Sequence, residues 1–540
     1  MSPRTDHRRL TVATVIALVV LLGAGGTAAA HGSHAGADAG RIVELYPNPT
    51  TPQNHGEYVA VDLDRSGNWT VTDGEGTARL PDREGVFAVT RHPERTAEHT
   101  NATTVTAGGS FQLAVGGETL ELRRNGRVVD RVSYDDAPES QRWHRDRDPH
   151  WQPAGFRPRG PATTDGASVE AFVLPDSPEA PIAAIGDADR RLYLAAYTLT
   201  AERVVNEVIA AHDRGVEVRV LVEGDPVGGM STRQADRLDE LSTAGVEVRA
   251  MTGERARFRY HHAKYAVVDD RAVVLTENWK PSGTGGADNR GWGVTVEDGG
   301  TADDLAAVFT HDAGWEDTVR WSEFRSTVET TEKEASTGSY AQNHPPMTAT
   351  AESVTVLAAP DNVDAELAEL INETDDRLLI VQPSIGSAEF PLLEAAMRAA
   401  DRGVDVRILL GSQWYNEDEN DALAARLREQ TEGSDNLEIR LADGNGRFGK
   451  IHAKGIVADD TAVVGSLNWN DNSLQNNREV ALAIEDEAVA DYYAEVFDGD
   501  WSSDGTRELP VGILVVTVGA AGGTVLALKR RLEFAANGRR

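Results

Sequence analysis

The stretch HAKYAVVD at residues 262–269 has a close counterpart, HAKGIVAD, at residues 452–459. In both, a His and a Lys stand two residues apart, and an Asp follows after four further residues. A second apolar run and an Asn-Trp pair come next, at 278–279 and at 468–469. All of these positions differ by the same 190 residues, the distance from 262 to 452. The chain therefore contains an internal repeat without a gap in the motif.

Residues two apart on a strand share one face, so the His and Lys of each copy are predicted to point the same way. The apolar residues after each Lys predict a buried strand, the acidic pair a turn, and the next apolar run a neighbouring strand. Each copy thus brings an imidazole, an ammonium and an amide to one edge of a sheet. Two such edges facing each other form a site suited to a phosphate diester.

The pattern HxK, four residues, Asp, then GSxN resembles the phospholipase D superfamily, the HKD phosphodiesterases. The second copy, with Gly465-Ser466, matches it closely, whereas the first has Leu275-Thr276 at that place. The resemblance implies a covalent phosphohistidine and needs no metal ion or cofactor. It makes His262 the nucleophile and His452 the acid and base, although chemistry alone does not order the two.

The resemblance also assigns supporting roles around the two histidines. The expected ligands of the phosphoryl oxygens are Lys264, Lys454, Asn278 and Asn468, and the expected substrate-binding hydroxyls are Ser466 and Thr276. The motif aspartates, Asp269 and Asp459, belong to the same pattern, either as part of the catalytic set or as residues that bind turns within each half.

Each histidine also needs a carboxylate on its far ring nitrogen to fix its tautomer. In the second half Glu479, in the phrase NNREVAL, fits this role. The corresponding phrase of the first half is DNRGWGV, where Gly291 stands in place of the Glu and Asp288 is the nearest substitute. This departure, like that at Leu275 and Thr276, raises the alternative that the first half has lost activity.

The rest of the chain divides into segments of different character. From residue 168 strands alternate with helices, and HDRGVEVRVLVEG and ADRGVDVRILLGS repeat one element, which predicts a mixed α/β sheet in each of two halves. We expect a pseudo-dimer with the site where the halves meet. The predicted segments are a signal peptide at 1–30, a β-sandwich at 41–140, a linker at 141–167, the first half at 168–326, a linker at 327–352, the second half at 353–501, a transmembrane helix at 509–528 and a cytoplasmic tail at 529–540.

The segment at 41–140 is predicted to be all β, with seven short strands, one of them over Ser110–Ala114. The pair Asn125-Gly126 between two apolar runs predicts a tight hairpin. The phrases RIVELYPNP and LAVGGETLELRRNGRVVDRVSY resemble the lamin-tail domain, an immunoglobulin-like sandwich. It carries no catalytic set, so targeting, spacing or binding is its expected role.

Both ends of the chain predict export. Arginines, an apolar run and Ala28-Ala-Ala30 form a signal peptide. Near the other end, the apolar run at 509–528 is long enough to span a bilayer, and Lys529-Arg530-Arg531 follows it. We therefore expect the body outside the cell, anchored in the cytoplasmic membrane by the C-terminal helix.

Substrate class stays open between phospholipid and nucleic acid. A membrane anchor with a short stalk favours phospholipid. The resemblance implies an extracellular nuclease as the alternative, because small members of the superfamily cut nucleic acid and lamin-tail domains accompany secreted nucleases. A third alternative is a non-catalytic surface binding protein in which the altered first motif reflects decay. No obligate protein partner is evident.

Composition narrows the chemistry and suggests the environment. With no cysteine among 540 residues, disulfides, thiol catalysis and Cys-ligated metals are excluded. The net charge is −34, and only six of the 53 basic residues are lysine. An acidic, lysine-poor chain is typical of proteins that work in concentrated salt, where screening reduces repulsion among surface carboxylates.

Salt should therefore stabilise the fold. Raising NaCl from about 0.1 M to about 1 M shortens the Debye length from roughly 10 Å to roughly 3 Å. The unfolding temperature, followed by circular dichroism, is expected to rise over this range and the activity to rise with it. Equal stability and activity at both concentrations would contradict adaptation to high salt.

Overall fold

The computed structural model describes residues 40–502, except 98, 101, 110, 111, 148, 431–435, 443 and 445. The chain divides near Ala137 into a β unit and a larger unit that carries both motif copies, here called the repeat unit. The predicted signal peptide, transmembrane helix and cytoplasmic tail lie outside the described residues. Within the described part, no helix combines the length and apolar character needed to cross a bilayer.

The described residues of the β unit form eight strands and one short α-helix, besides a single 3-10 turn at Pro52–Asn54. They are β1 (Gly40–Tyr46), β2 (Tyr58–Leu63), β3 (Trp69–Thr72), β4 (Thr77–Arg79), β5 (Gly85–Thr90), α1 (Pro93–Thr96), β6 (Thr103–Thr106), β7 (Glu118–Arg124) and β8 (Arg127–Tyr134). One sheet has the order β1-β2-β5-β6 and the other β4-β3-β7-β8. Both sheets contribute fully buried side chains, among them Val61, Trp69 and Leu122, as two facing sheets require.

The hairpin and the sandwich are as predicted, but two strands differ. Asn125 and Gly126 both have positive φ, 50° and 81°, which closes the two-residue turn between β7 and β8. The strand expected over Ser110–Ala114 is wrong, since Gln112–Ala114 belong to no strand. Strands β4 and β6 were not predicted, because they are short and rich in Thr and Arg and so lack the alternating apolar pattern.

The first half of the repeat unit follows two short strands that pair with each other. In chain order the elements are β9 (Gln141–His144), β10 (Trp151–Pro153), β11 (Ala162–Asp165), β12 (Ser168–Leu174), α2 (Glu179–Gly186), β13 (Arg191–Ala196), α3 (Glu202–Asp213), β14 (Glu217–Glu223), β15 (Met230–Ser231), α4 (Thr232–Ala244), β16 (Glu247–Met251), β17 (Tyr265–Val268), β18 (Arg271–Leu275), β19 (Asn289–Glu297), α5 (Gly299–Ala313), β20 (Thr318–Arg320) and α6 (Trp321–Phe324).

The second half begins after two further short strands. The elements are β21 (Thr330–Thr331), β22 (Met347–Thr350), β23 (Ser353–Ala359), α7 (Val363–Glu373), β24 (Arg377–Gln382), α8 (Pro391–Arg402), β25 (Asp405–Gly411), α9 (Glu417–Gln430), β26 (Leu437–Ala442), β27 (Lys450–Ile451), β28 (Gly455–Ala458), β29 (Thr461–Gly465), α10 (Asp471–Gln475), β30 (Glu479–Glu485) and α11 (Glu487–Trp501).

The two halves have the same sheet. The first runs β16-β14-β13-β17-β18-β19-β12 and the second β26-β25-β24-β28-β29-β30-β23, so every position has its counterpart. The parallel strands are joined through helices, and the others form antiparallel neighbours. The mixed α/β sheet predicted for each half is confirmed.

The segments predicted as linkers also contribute strands. β11, which precedes the first half, pairs with β23 at the edge of the second sheet. β22, which precedes the second half, pairs with β12 at the edge of the first sheet. Each half therefore has its edge covered by the segment that leads to the other. These strands are short and polar, so their sequence gave no strand signal.

The halves meet across a shared core between the two sheets. Helices α5 and α11 lie there, and each packs against strands of both halves. Tyr493 of α11 stacks on Trp292 of β19 with ring centroids 4.5 Å apart, and its hydroxyl donates to the Gly293 carbonyl at 2.6 Å. One continuous cluster of buried side chains includes residues of both halves.

Two fully buried arginines tie the halves together. Arg290 on β19 pairs with Asp176 of its own half and, at 2.9 Å, with Asp500 on α11. Arg478, just before β30, pairs with Asp361 of its own half at 2.6 Å and with Asp312 on α5 at 2.9 Å. Each guanidinium is thus shared by two carboxylates, one from each half. We call these two groups the arginine clamps.

Breaking a clamp should unfold the repeat unit more easily. Arg478→Met leaves two buried carboxylates without their cation, which costs about 3–5 kcal/mol in the free energy of unfolding. Arg426→Met, which removes an exposed pair with Glu389, is the control and should cost less than about 1 kcal/mol. Denaturant unfolding measures both, and equal losses would contradict the role assigned to the clamp.

Candidate active site

The two motif copies are held at the interface by backbone hydrogen bonds to the opposite half. The His262 amide donates to the Arg478 carbonyl at 2.9 Å, and the His452 amide donates to the Arg290 carbonyl at 2.9 Å. Both acceptors belong to the arginine clamps. The clamps therefore place each histidine against the strand of the other half, and the predicted site between the halves forms there.

His262 is oriented by a carboxylate from the second half. Its Nδ1 lies 2.8 Å and 2.9 Å from the two carboxylate oxygens of Glu479, the residue predicted for this type of role. The Ser466 hydroxyl at 2.5 Å and the Asn477 amide at 3.0 Å donate to the same carboxylate. Nδ1 is thereby engaged, which leaves Nε2 as the ring nitrogen free to react.

His452 has the mirror arrangement with a different carboxylate. Its Nδ1 lies 3.1 Å from Glu277 Oε1, and Asn289 Nδ2 donates to Glu277 Oε2 at 2.7 Å. The expectation for Asp288 is wrong, since its carboxylate instead lies 3.8 Å from Lys450 Nζ. Glu479 also differs from expectation, because it serves the histidine of the other half rather than that of its own.

Glu277 was not among the predicted site residues, although the sequence contains a signal for it. A Cβ added at Gly291 would lie 2.2 Å from Glu277 Cγ, so the Glu277 side chain fills the space that a side chain at 291 would need. In the second half the exchange is reversed, with Leu467 in the position of Glu277 and Glu479 in that of Gly291. The carboxylate has moved from one strand to its neighbour, and aligning the halves shows the reciprocal change.

Leu275 is the second place where the first motif departs from the family pattern, and a small residue on the neighbouring strand accommodates it. Leu275 stands where the second half has Gly465, and it pairs across the sheet with Gly293. Gly465 pairs with Ala481 in the same way. A Cβ at Gly293 would lie 2.4 Å from Phe172 Cε2 and 2.7 Å from Leu275 Cδ2, so both side chains require a glycine there. The larger residue at 275 is thus accommodated by a small one on the neighbouring strand.

The motif lysines are buried beside the histidines. Lys264 Nζ donates to the His262 carbonyl, and Lys454 Nζ donates to the carbonyls of His452 at 2.6 Å and Thr276 at 3.3 Å. Burial lowers the pKa of both ammonium groups, to about 8 for Lys454. An anionic ligand gains most from an ammonium group that is held in a site of low polarity.

Burial also keeps the histidines neutral. It lowers the pKa of His262 to about 4, with Glu479 opposing the shift and the charges of Lys264 and Lys454 adding to it. It lowers the pKa of His452 to about 3, with Glu277 as the opposing charge. Both rings are uncharged at neutral pH, the form that a nucleophile requires.

The two predicted asparagines differ in burial. Asn278 is almost fully buried, and its Oδ1 has no hydrogen-bond partner within the described part of the chain. Asn468 occupies the equivalent place after β29 and is half-buried. Both thus stand at the ends of the motif strands, as predicted, and the role expected of them as phosphoryl ligands stays a prediction.

The predicted substrate-binding hydroxyls face the protein instead. Ser466 and Thr276 are fully buried. Ser466 donates to Glu479 and accepts from the Val480 amide at 3.1 Å, while Thr276 accepts from the Trp292 amide at 2.9 Å. Both hydroxyls are committed to the strand beside them, which corrects their assignment to substrate.

The motif aspartates are structural. Asp269 accepts from the backbone amides of residues 189, 190 and 191, and Asp459 accepts from those of 375, 376 and 377. Both have positive φ, 55° and 48°, a conformation that Asp tolerates better than most residues. They hold turns at the far end of the motif strands, so their inclusion in the catalytic set is wrong.

Comparison with known proteins agrees with this geometry. The family described as "Cardiolipin synthase, PLD-like domain" matches residues 182–313 and 367–501, one segment in each half. The chain belongs to the phospholipase D-like family. Its lamin-tail resemblance is confined to the β unit and stays a prediction.

Relatives share only part of this phospholipase D-like chain. "Probable phospholipase D F09G2.8" of Caenorhabditis elegans is 26% identical over 136 residues, 22% of this chain and 24% of that protein. "5'-3' exonuclease PLD4" of Mus musculus is 28% identical over 143 residues, 22% of this chain and 28% of that protein. The chain thus matches about a quarter of the length of each. Phosphatidylserine synthase of Haemophilus influenzae Rd KW20 superposes with a TM-score of 0.48 and 15% identity, covering 63% of this chain and 87% of that one.

The role of Glu277 can be tested by moving its carboxylate to position 291, which corresponds to that of Glu479 in the second half. Glu277→Leu is expected to lower kcat by roughly 100-fold or more, with KM little changed, because His452 loses the group that orients it. Its pH profile should shift to lower pH, since the Glu277 charge raises the pKa of His452. Adding Gly291→Glu to Glu277→Leu recreates the arrangement of the second half and should recover at least tenfold.

Two controls separate this effect from general damage. Gly291→Glu alone should lower the unfolding temperature, because the new side chain meets that of Glu277. Asp288→Asn should leave kcat within about twofold on a substrate with a single phosphate. A double variant no better than Glu277→Leu, or a loss in Asp288→Asn equal to that of Glu277→Leu, would contradict the assignment.

Proposed function

We propose that this protein is a phosphodiesterase that acts through a phosphohistidine on His262. The observation that carries the proposal is the crossed pair of His–Glu contacts, in which each half supplies the carboxylate for the histidine of the other. Two neutral imidazoles with engaged Nδ1 atoms and free Nε2 atoms, flanked by two buried ammonium groups, suit in-line attack at phosphorus.

The proposed reaction has two displacements. His262 Nε2 attacks phosphorus, a P–N bond forms, and the P–O bond to the leaving alcohol breaks as His452 donates its Nε2 proton to that oxygen. A water or a second alcohol then attacks phosphorus, passes its proton to His452, and breaks the P–N bond. His452 must be protonated for the first step, and the negative charge of a bound phosphate favours that form.

The altered first motif supports activity rather than decay. Leu275 and Gly291, which depart from the family pattern, each have a compensating partner, Gly293 and Glu277. A degenerating site would be expected to lose its oriented histidine, whereas His262 keeps both carboxylate contacts. The non-catalytic binding protein is therefore the weaker alternative.

Nucleic acid and phospholipid are the candidate substrates. The relatives whose names mention a phospholipase D and an exonuclease are consistent with either. The phospholipid prediction depends on export and on the membrane anchor, both of which fall outside the described residues. We favour nucleic acid, because the cations close to the site suit a polyanion better than a headgroup with one charge.

Trapping the intermediate tests the proposal. Turnover of bis(p-nitrophenyl) phosphate with EDTA present is quenched with detergent at alkaline pH, because a P–N bond hydrolyses in acid. Phosphopeptides are then mapped by mass spectrometry at alkaline pH. We expect the adduct on His262, none in His262→Ala, and accumulation in His452→Ala, where the second displacement is slowed by roughly 100-fold or more. Full activity in both alanine variants would overturn the proposal, and an adduct on His452 would exchange the two roles.

A further inference from the structure

The few lysines of the described residues are concentrated in one region of the structure. Of the six lysines in the sequence, five lie in the described part. Lys264 and Lys454 belong to the motifs. The other three, Lys280, Lys333 and Lys450, line a single cavity of about 330 Å³, which we call the lysine cavity. Nearly all other basic residues of this acidic protein are arginine. The lysines are thus concentrated near the motifs rather than spread over the surface.

The lysine cavity adjoins the candidate active site. Tyr197 lines it and also packs against His262, with ring centroids 4.7 Å apart. Asn278, one of the predicted phosphoryl ligands, lines it as well. A ligand in this cavity is therefore next to the group that His262 would attack.

The cavity offers unpartnered polar atoms. Gln234 is 1% exposed, and its Nε2 donor has no hydrogen-bond partner within the described residues. Asn278 Oδ1, an acceptor, also has no hydrogen-bond partner within those residues. Leaving a buried donor unsatisfied costs about 1–3 kcal/mol, so such atoms are expected where a ligand binds.

The electrostatics of the cavity favour an anion. Burial lowers the pKa of Lys280; the charge of Glu277 opposes this shift, and those of Lys450 and Lys333 add to it. Lys333 Nζ donates to the Gly229 carbonyl at 2.8 Å. The cavity lining has four basic residues, with Arg233 beside the three lysines, and one carboxylate, that of Glu334. Asp288, 3.8 Å from Lys450 Nζ, and Glu277 offset part of this positive charge from outside the lining.

We propose that the lysine cavity binds a second phosphate of the substrate, that of the nucleotide next to the scissile phosphodiester in a nucleic-acid strand. The inference rests on the proposed phosphodiesterase function. A volume of about 330 Å³ holds a phosphate together with the group that carries it. Clustered amines with an amide donor provide the charge-assisted hydrogen bonds that phosphate oxygens accept.

Two observations favour a strand over a lipid. Most of the described residues that line the cavity are polar or charged, and its apolar lining is limited to small side chains such as Val227 and Ala335, which offer little surface to an acyl chain. In the second half, the loop after β25 carries Trp414 and Tyr415, which are 86% and 50% exposed. The loop after β14, its counterpart in the first half, lines the cavity with Pro226 and Val227. Exposed aromatic rings at that edge can stack nucleobases.

The test compares dinucleotides with and without a terminal phosphate. The substrates are thymidylyl-thymidine and its 5'- and 3'-phosphorylated forms, assayed at one fixed salt concentration. We expect one phosphorylated form to have at least a tenfold higher kcat/KM, mainly through KM. Lys280→Gln combined with Lys450→Gln should remove this advantage and leave turnover of the unphosphorylated dinucleotide within about twofold. Arg190→Gln, an exposed cation at the Asp269 turn, is the control and should keep the advantage.

The possible outcomes test the second-phosphate site separately from the proposed phosphodiesterase reaction. Equal kcat/KM for all three dinucleotides, or an equal loss on all three in the double variant, would overturn the second-phosphate site. The protein could instead prefer diphosphatidylglycerol to phosphatidylglycerol in micelles, lose this preference in the lysine variant, and show no preference among the dinucleotides. That result would contradict the assignment of the second phosphate to a nucleic-acid strand. If no substrate turns over, the proposed function fails, and calorimetric binding of the phosphorylated dinucleotide to the intact protein and to the lysine variant still decides whether the cavity binds phosphate.

Discussion

The hydrogen bonds between each motif histidine and the opposite arginine clamp are the constraint on which the site depends. The clamp fixes a strand because its guanidinium joins carboxylates of both halves. The carbonyl of the same arginine receives the histidine amide from the other half. Burying such a network is costly unless every charge is paired, so the two halves have one strongly preferred relative position. Stability and catalytic geometry are therefore provided by the same residues.

This arrangement makes the halves interdependent. Glu479 orients His262, Glu277 orients His452, and Lys454 donates to the Thr276 carbonyl across the interface. Neither motif histidine has its carboxylate partner in its own half. The edge strands follow the same principle, since each sheet is extended by the segment that leads to the other half.

Within that frame, individual positions have diverged in pairs. Space limits the changes, because a residue can grow only where its cross-strand neighbour shrinks. Leu275 with Gly293 and Glu277 with Gly291 are two such pairs. Composition follows a different constraint: acidic residues number 87, while the five lysines of the described part all lie at the lysine cavity or in the motifs, where a compact ammonium next to the reacting group is useful.

The sequence by itself determined the repeat, the α/β character of both halves, the β-sandwich and the identity of the histidines and lysines, because these depend on local periodicity and on motif spacing. Only the tertiary structure decided that Glu479 serves His262, that Glu277 replaces Asp288 beside His452, that Asp269 and Asp459 hold turns, and that three distant lysines share one cavity. These relations join residues that lie far apart in the chain. They follow from how two sheets pack against each other, which no local pattern encodes.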